Sequence, residues 1–176
     1  MISKITRETN PDQGNQAPRQ LTAAIRVERD FGNLEGISSK IELVDQANKL
    51  AMFVTVNPKT GTWSGGTFKF LIRVPDTYPH DPPKVLYLGP SRLWHPNIEG
   101  ESDKKEWGVC LNILRADWKP VLAVRDVVFG LEMMFYEPNI DDPLPGTAKE
   151  AARHLRDDPK GFDRKAKQWM SGNYVN

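Results

Sequence analysis

Cys110 is the only cysteine of the chain and stands in Gly108-Val109-Cys110-Leu111-Asn112. Thirteen residues upstream lies Asn97, inside His95-Pro96-Asn97-Ile98. A thiol acts by thiolate attack, and an unshifted cysteine is only slightly ionised at neutral pH. That small population suffices for exchange with an activated thioester, which is close to isoenergetic. Hydrolysis of an amide would need far more activation. Two chemistries therefore compete. A Cys/His/Asn set suggests a thiol hydrolase, with histidine as base and asparagine orienting it. In papain-like proteases, however, those two residues follow the nucleophile at long range, whereas here they precede it in one tight turn. The other chemistry is acyl carriage: a carboxamide such as Asn97 donates to the oxyanion formed when a thioester carbonyl is attacked, and His95 is structural. The plain alternative for a cysteine between valine and leucine is a small buried hydrophobe.

These residues lie in a stretch without periodicity, from Leu88 to Pro120, where functional side chains tend to concentrate. Regular elements must hold it. From Arg19 the pattern is helical, with Leu21, Ala24, Ile25 and Phe31 near one face and Thr22, Arg26, Arg29 and Asn33 on another. Gly32 and Gly36 mark its end. Leu50, Met52, Val54 and Val56 then alternate, as do Phe68, Phe70, Ile72 and Val74. Ile41 to Val44 and Lys84 to Leu88 supply two more short strands. Short spacers between them imply an antiparallel four-stranded meander. The three prolines of Tyr78-Pro79-His80-Asp81-Pro82-Pro83 exclude helix and central strand and predict a rigid, exposed loop. Val124, Val127, Val128, Leu131, Met134 and Phe135 form the stripe of a buried central helix stopped by Pro138. Two later helices are predicted from Thr147 to Leu155 and from Lys160 to Met170. The fold class is α+β.

The 176 residues, with 24 basic and 23 acidic side chains and a net charge of +1, fit one domain with a substantial core. Near-neutral charge gives no electrostatic demand for nucleic acid or an anionic membrane. No apolar run approaches the ~20 residues of a membrane span. A single cysteine excludes an internal disulfide and a cysteine zinc site, and suits a cytosolic or nuclear compartment. No metal or cofactor is expected. Residues 1–18 are polar, with only Met1, Ile2 and Ile5 bulky and apolar. They are expected to form a flexible docking tail ahead of a domain spanning 19–176.

Taken in order, Tyr78-Pro79-x-x-Pro82-Pro83, His95-Pro96-Asn97-Ile98, Gly108-Val109-Cys110-Leu111, Trp118-Lys119-Pro120 and Glu137-Pro138-Asn139-x-x-Asp142-Pro143 resemble the ubiquitin-conjugating enzymes. The resemblance runs from about Leu21 to Tyr174. Within that family, the stretch Cys110 to Leu122 and the ending Met170-Ser171-Gly172-Asn173-Tyr174 look most like the neddylation branch. The resemblance implies a carrier that takes a ubiquitin-like modifier from an activating enzyme as a thioester on Cys110 and passes it to a substrate lysine, such as one on a cullin. By the same resemblance Asn97 serves the isopeptide step, through the oxyanion or by ordering a nearby loop. Asp142 lies near the incoming lysine, where a carboxylate could orient the ammonium and take its proton. His95 and Pro96 hold the turn. ATP is consumed upstream, by the activating enzyme. Rival readings are a ubiquitin carrier of this fold, a non-catalytic adaptor of this fold, and the thiol hydrolase.

For partners, the resemblance implies that the activating enzyme and RING-type ligases share the Arg26/Arg29 face, the loop holding His80, and Pro120-Val121. His80 replaces the aromatic or other apolar residue common in RING-binding members. Met1 and Ile2 would contact the activating enzyme and, when acetylated, a co-ligase. A monomer is expected. One departure is the stretch Glu101-Ser102-Asp103-Lys104-Lys105-Glu106, which makes the interval between Asn97 and Cys110 several residues longer than the family pattern. It reads as an exposed loop-tip insertion, with a lip that screens acceptor lysines as the functional alternative.

Overall fold

Alternating apolar residues make the strands amphipathic ribbons, and the sheet follows from pairing their buried faces. In the computed structural model, which describes residues 16–89, 92–99 and 107–174 with side chains from Thr22 onward, the chain order is α1 (Gln16–Phe31), β1 (Lys40–Leu43), β2 (Ala51–Val56), β3 (Phe68–Arg73), β4 (Lys84–Tyr87), β5 (Trp107–Gly108), a 3-10 turn (Asn112–Leu114), α2 (Val124–Met133), α3 (Thr147–Asp157) and α4 (Pro159–Met170). The expectations for Met1 and Ile2, and for the insertion at Glu101 to Glu106, lie outside the described residues. Helix α1 starts at Gln16, three residues before the predicted point.

The sheet is an antiparallel meander in the order β1-β2-β3-β4-β5. It has five strands where the sequence predicted four. β5 is two residues long, with Tyr87 opposite Trp107 and Leu86 opposite Gly108. A strand that short carries no readable alternation. In β2, burial alternates at every residue, with Met52, Val54 and Val56 inside. Helix α2 covers this inner face. Phe135, just past its end, stacks on Phe68 at 4.4 Å between centroids and meets Trp63 edge-on at 5.8 Å. The predicted stripe of α2 is the core itself, since Val124, Val127, Val128 and Leu131 are fully buried. At its start the Asp126 carboxylate accepts the Ala123 N–H at 2.8 Å, which satisfies an amide that the helix leaves unpaired. Helices α3 and α4 pack on each other, and α4 reaches the core through Phe162 against Trp63.

The buried face of α1 differs from the one predicted. Ala23 and Val27 are fully buried, whereas Ile25 is 55% exposed. Positions 23, 27 and 30 are spaced by four and three and share one face, so the third buried residue of the helix is an acid, Asp30, at 6% exposure. The proline loop is also less exposed than predicted. Tyr78 is 2% exposed and Pro83 is buried, leaving His80 and Asp81 as its outward tip.

Candidate active site

The interval between Asn97 and Cys110 is closed by antiparallel pairing. Cys110 N–H donates to Asn97 O at 2.8 Å, Ile98 bridges Val109, and Glu99 N–H donates to Gly108 O at 2.9 Å. The described ends of that interval are therefore locked together, and the cysteine keeps its register with the asparagine. After Cys110 the chain turns at once into the 3-10 turn, with Leu114 N–H on Leu111 O at 3.0 Å. That turn carries Arg115 to the rim of the site.

Asn97 is 2% exposed, and its polar atoms are engaged in several directions. Nδ2 donates to Asn139 O at 2.9 Å, and Oδ1 accepts Asn139 N–H at 2.9 Å. Its own N–H donates to His95 Nδ1 at 2.9 Å. Asn139 relays the restraint, because its Oδ1 accepts the N–H of Asp141 at 3.0 Å and of Asp142 at 3.2 Å. This is a turn that asparagine readily forms with its own downstream backbone. Leu144 N–H on Pro96 O at 3.3 Å pins the other end of the loop. The loop 139–144 is thus drawn down onto the cysteine, and the Asp142 carbonyl oxygen lies 4.0 Å from Sγ.

Cys110 is 3% exposed in this arrangement. Burial pushes its thiol above the ordinary cysteine range, Arg115 opposes that shift, and the Asp142 charge adds to it. Arg115 Nη1 and Asp142 Oδ2 stand 3.6 Å apart at the mouth of the site, with side chains 52% and 65% exposed. The resting sulfur is covered, and its burial disfavours the thiolate.

His95 is fully buried, and both ring nitrogens are committed. Nε2–H donates to Met134 O at 3.1 Å, which leaves Nδ1 as the acceptor of the Asn97 N–H. Desolvation lowers its pKa to about 3, against a smaller opposing effect of the Met134 hydrogen bond. It stays neutral at physiological pH and has no lone pair to offer a thiol. The hydrolase reading loses its base. Among the described residues, no three His, Cys, Asp or Glu side chains gather as metal ligands would.

The predicted partner face is a separate unit, and Arg26 is not free within it. Its Nε donates to Asp30 Oδ1 at 2.9 Å, Nη1 to Pro120 O at 3.2 Å and Nη2 to Leu122 O at 3.1 Å. The other oxygen of Asp30 takes the Tyr78 hydroxyl and, at 3.2 Å, the Val124 N–H. Trp118 Nε1 donates to Pro79 O at 2.9 Å. Of the two arginines that the sequence assigned to the partner face, Arg26 is a strut that fixes Pro120 and Leu122 to α1. Arg29, His80 and Pro120 are exposed, and Val121 is 79% exposed. Sequence reasoning gave no role to Asp30, Asn139 or Arg115. An arginine followed four residues later by an aspartate on one helix face was the available signal for Asp30.

A model of the ubiquitin-conjugating enzyme family matches residues 26–170. The chain is 42% identical over 155 residues to the NEDD8-conjugating enzyme ubc12 of Schizosaccharomyces pombe, covering 88% of this chain and 82% of that one. It is 39% identical over 171 residues to the NEDD8-conjugating enzyme UBC12 of Yarrowia lipolytica, covering 96% and 90%. Its fold matches the solved structure of S. cerevisiae Ubc12 with a TM-score of 0.76 at 32% identity, over 94% of this chain and 88% of that one. With the helix, meander, cysteine loop and later helices in the expected order, this chain belongs to the ubiquitin-conjugating enzyme family.

Proposed function

We propose that this enzyme is the carrier of a NEDD8-type modifier, which it receives on Cys110 and delivers to a lysine of a cullin-type acceptor. Similarity to the two NEDD8-conjugating enzymes supports the choice of modifier. The observation that carries the chemistry is the Asn97 clamp, which ties the loop bearing Asp142 over the sulfur. In charging, the Cys110 sulfur attacks the thioester carbonyl presented by the activating enzyme. A new C–S bond forms, the old one breaks, and the departing thiol takes the proton. In discharge, a neutral lysine amine attacks the same carbonyl, a C–N bond forms and the C–S bond breaks. Cys110 leaves as thiolate, and the surplus proton on nitrogen passes to the Asp142 carboxylate or to water. Asp142, with an exposed carboxylate on the loop beside the sulfur, is the group this reading assigns to orient the incoming lysine and take its proton.

Asn97 acts chiefly as a loop-ordering residue in this reading, because its Oδ1 and one Nδ2 hydrogen are already spent on Asn139. One amide hydrogen remains for an oxyanion. The activating enzyme and a RING-type ligase dock on Arg29, His80, Pro120 and Val121, and the Arg26 strut holds that platform together. Because the two partners share it, charging and ligase engagement alternate. A single cysteine that works as a free thiol suits a reducing compartment, which supports the cytosol or nucleus as the setting.

The test mixes the protein with ATP and matched pairs of activating enzyme and modifier. NEDD8 should give an adduct that a reducing agent removes, and Cys110→Ala should give none. Ubiquitin charged faster than NEDD8 would transfer the reading to the ubiquitin carriers. No thioester with any modifier would leave an adaptor of this fold.

A further inference from the structure

A second surface adjoins the transfer site. Between the loop 139–146 and helix α3 lies a cleft of about 440 Å³ with Ile140, Pro143 and Ala152 among its lining residues. Lys149, Arg153 and Arg156 also line it. They are spaced by four and three along α3 and so share one helix face. Arg156 is exposed but bends back to the loop, with Nη2 donating to Ile140 O at 3.2 Å and standing 3.7 Å from Asp141 Oδ1. Asp141 is thereby compensated. Lys149 and Arg153 are exposed, and among the described residues neither takes part in an ion pair. Glu150 is the one acid left on the rim, so the cleft is apolar in part and positive on balance.

Its position gives the cleft a use. Asp141 is the residue next to Asp142, whose carbonyl lies 4.0 Å from the Cys110 sulfur. Consecutive Cα atoms are about 3.8 Å apart, so the near rim is about two residue lengths from the nucleophile. A polypeptide whose lysine enters the transfer site would lay its neighbouring residues across this cleft.

We propose that the cleft between loop 139–146 and α3 is a docking groove for the acceptor protein, and that it selects an acidic segment lying about two to five residues from the modified lysine. Carboxylates of that segment pair with Lys149 and Arg153, while an aliphatic side chain rests on Ile140, Pro143 and Ala152. The proposal rests on the carrier reading above and adds which lysines the carrier prefers. Charge contacts of this exposed kind are weak singly and salt-sensitive, so they bias the choice among acceptors without fixing it.

The test is single-turnover discharge of preloaded enzyme. Acceptors are free lysine and two peptides that carry one lysine followed by either Asp/Glu or Asn/Gln at the second to fifth positions. The native enzyme should discharge to the acidic peptide about fivefold faster than to the neutral one at low salt, with the ratio falling toward one as salt rises. The Lys149→Glu/Arg153→Glu variant should lose or reverse that ratio, while discharge to free lysine stays within twofold. Lys149→Arg/Arg153→Lys should retain it. Equal rates for both peptides with native enzyme, or an unchanged ratio in the double reversal, would overturn the groove. Failure to discharge to free lysine would instead overturn the carrier reading.

Discussion

Asn97 and Asn139 are joined by a reciprocal pair of hydrogen bonds, side-chain Nδ2 to backbone O and backbone N to side-chain Oδ1, each 2.9 Å long. A carboxamide supplies a donor and an acceptor on adjacent atoms, and the side-chain length of asparagine at 97 sets both against the Asn139 backbone. Through this pair a residue paired by backbone to the cysteine also sets the height of the loop above the cysteine. Replacing Asn97 by alanine should cost about 1–3 kcal/mol, because it leaves the Asn139 groups without partners in a half-buried site. The loop should then rise. Alkylation of Cys110 by iodoacetamide should speed up several-fold, charging should change little, and discharge to lysine should fall by tenfold or more. Unchanged alkylation would show that the clamp does not govern access, and full discharge would remove Asn97 from the transfer step.

Charging should carry its own pH signature. Burial raises the Cys110 thiol, Arg115 pulls it down and Asp142 pushes it up. The rate of alkylation should therefore keep climbing with pH beyond the range where a free cysteine levels off. Asp142→Asn removes a repulsive charge and should move the profile to lower pH. Arg115→Gln removes an attractive one and should move it to higher pH. Opposite displacements of the two variants are the check, measured on the uncharged enzyme so that the lysine step does not intervene.

His95 makes acid stability a further handle. Its folded pKa of about 3 lies below the unfolded value of 6.5, so the unfolded chain binds a proton that the folded one refuses. The stabilisation is fully present above about pH 6.5 and is lost as pH falls through the window toward 3, at up to about 1.4 kcal/mol per pH unit. His95→Asn should be less stable than the native protein at pH 7.5. In urea unfolding the gap should narrow steadily between pH 6.5 and 4.5. A gap that stays constant over that interval would mean that the ring is not held neutral.

The parts of the fold that depend on repetition were readable in advance. The α2 stripe and the alternation of β2 are periodic, and the structure buries those residues. Where a feature rests on one or two residues, the sequence carried no period to read, as with β5. Ile25 misled for a different reason: its side chain is more apolar than that of Ala23, but only position 23 lies in line with Val27 and Asp30. The site divides in the same way. Cysteine, asparagine and aspartate stand out as residue types, but the cover over the sulfur is a backbone carbonyl of Asp142, and a carbonyl has no letter of its own. Asp30 showed in the sequence only through Arg26 four residues before it, because its other partners, Tyr78 and Val124, lie far away in the chain.

Asp30 tests whether the partner platform is one piece. A carboxylate buried to 6% exposure is tolerable only with its charge and lone pairs answered, and here Arg26, Tyr78 and the Val124 amide answer them. Asp30→Ala leaves three buried or half-buried donors unmatched and should cost about 3–5 kcal/mol. Arg26→Ala should cost nearly as much, since it leaves the buried carboxylate unpaired and frees the carbonyls of Pro120 and Leu122. The double variant should cost clearly less than the two losses added together, because the second deletion removes a group already orphaned by the first. Binding of the activating enzyme should weaken in Arg26→Ala even at temperatures where the domain stays folded, while alkylation of Cys110 keeps its native rate. That combination separates a strut under the docking loops from a contact within the acyl-transfer site, and equal loss of both readouts would make Arg26 a general fold residue.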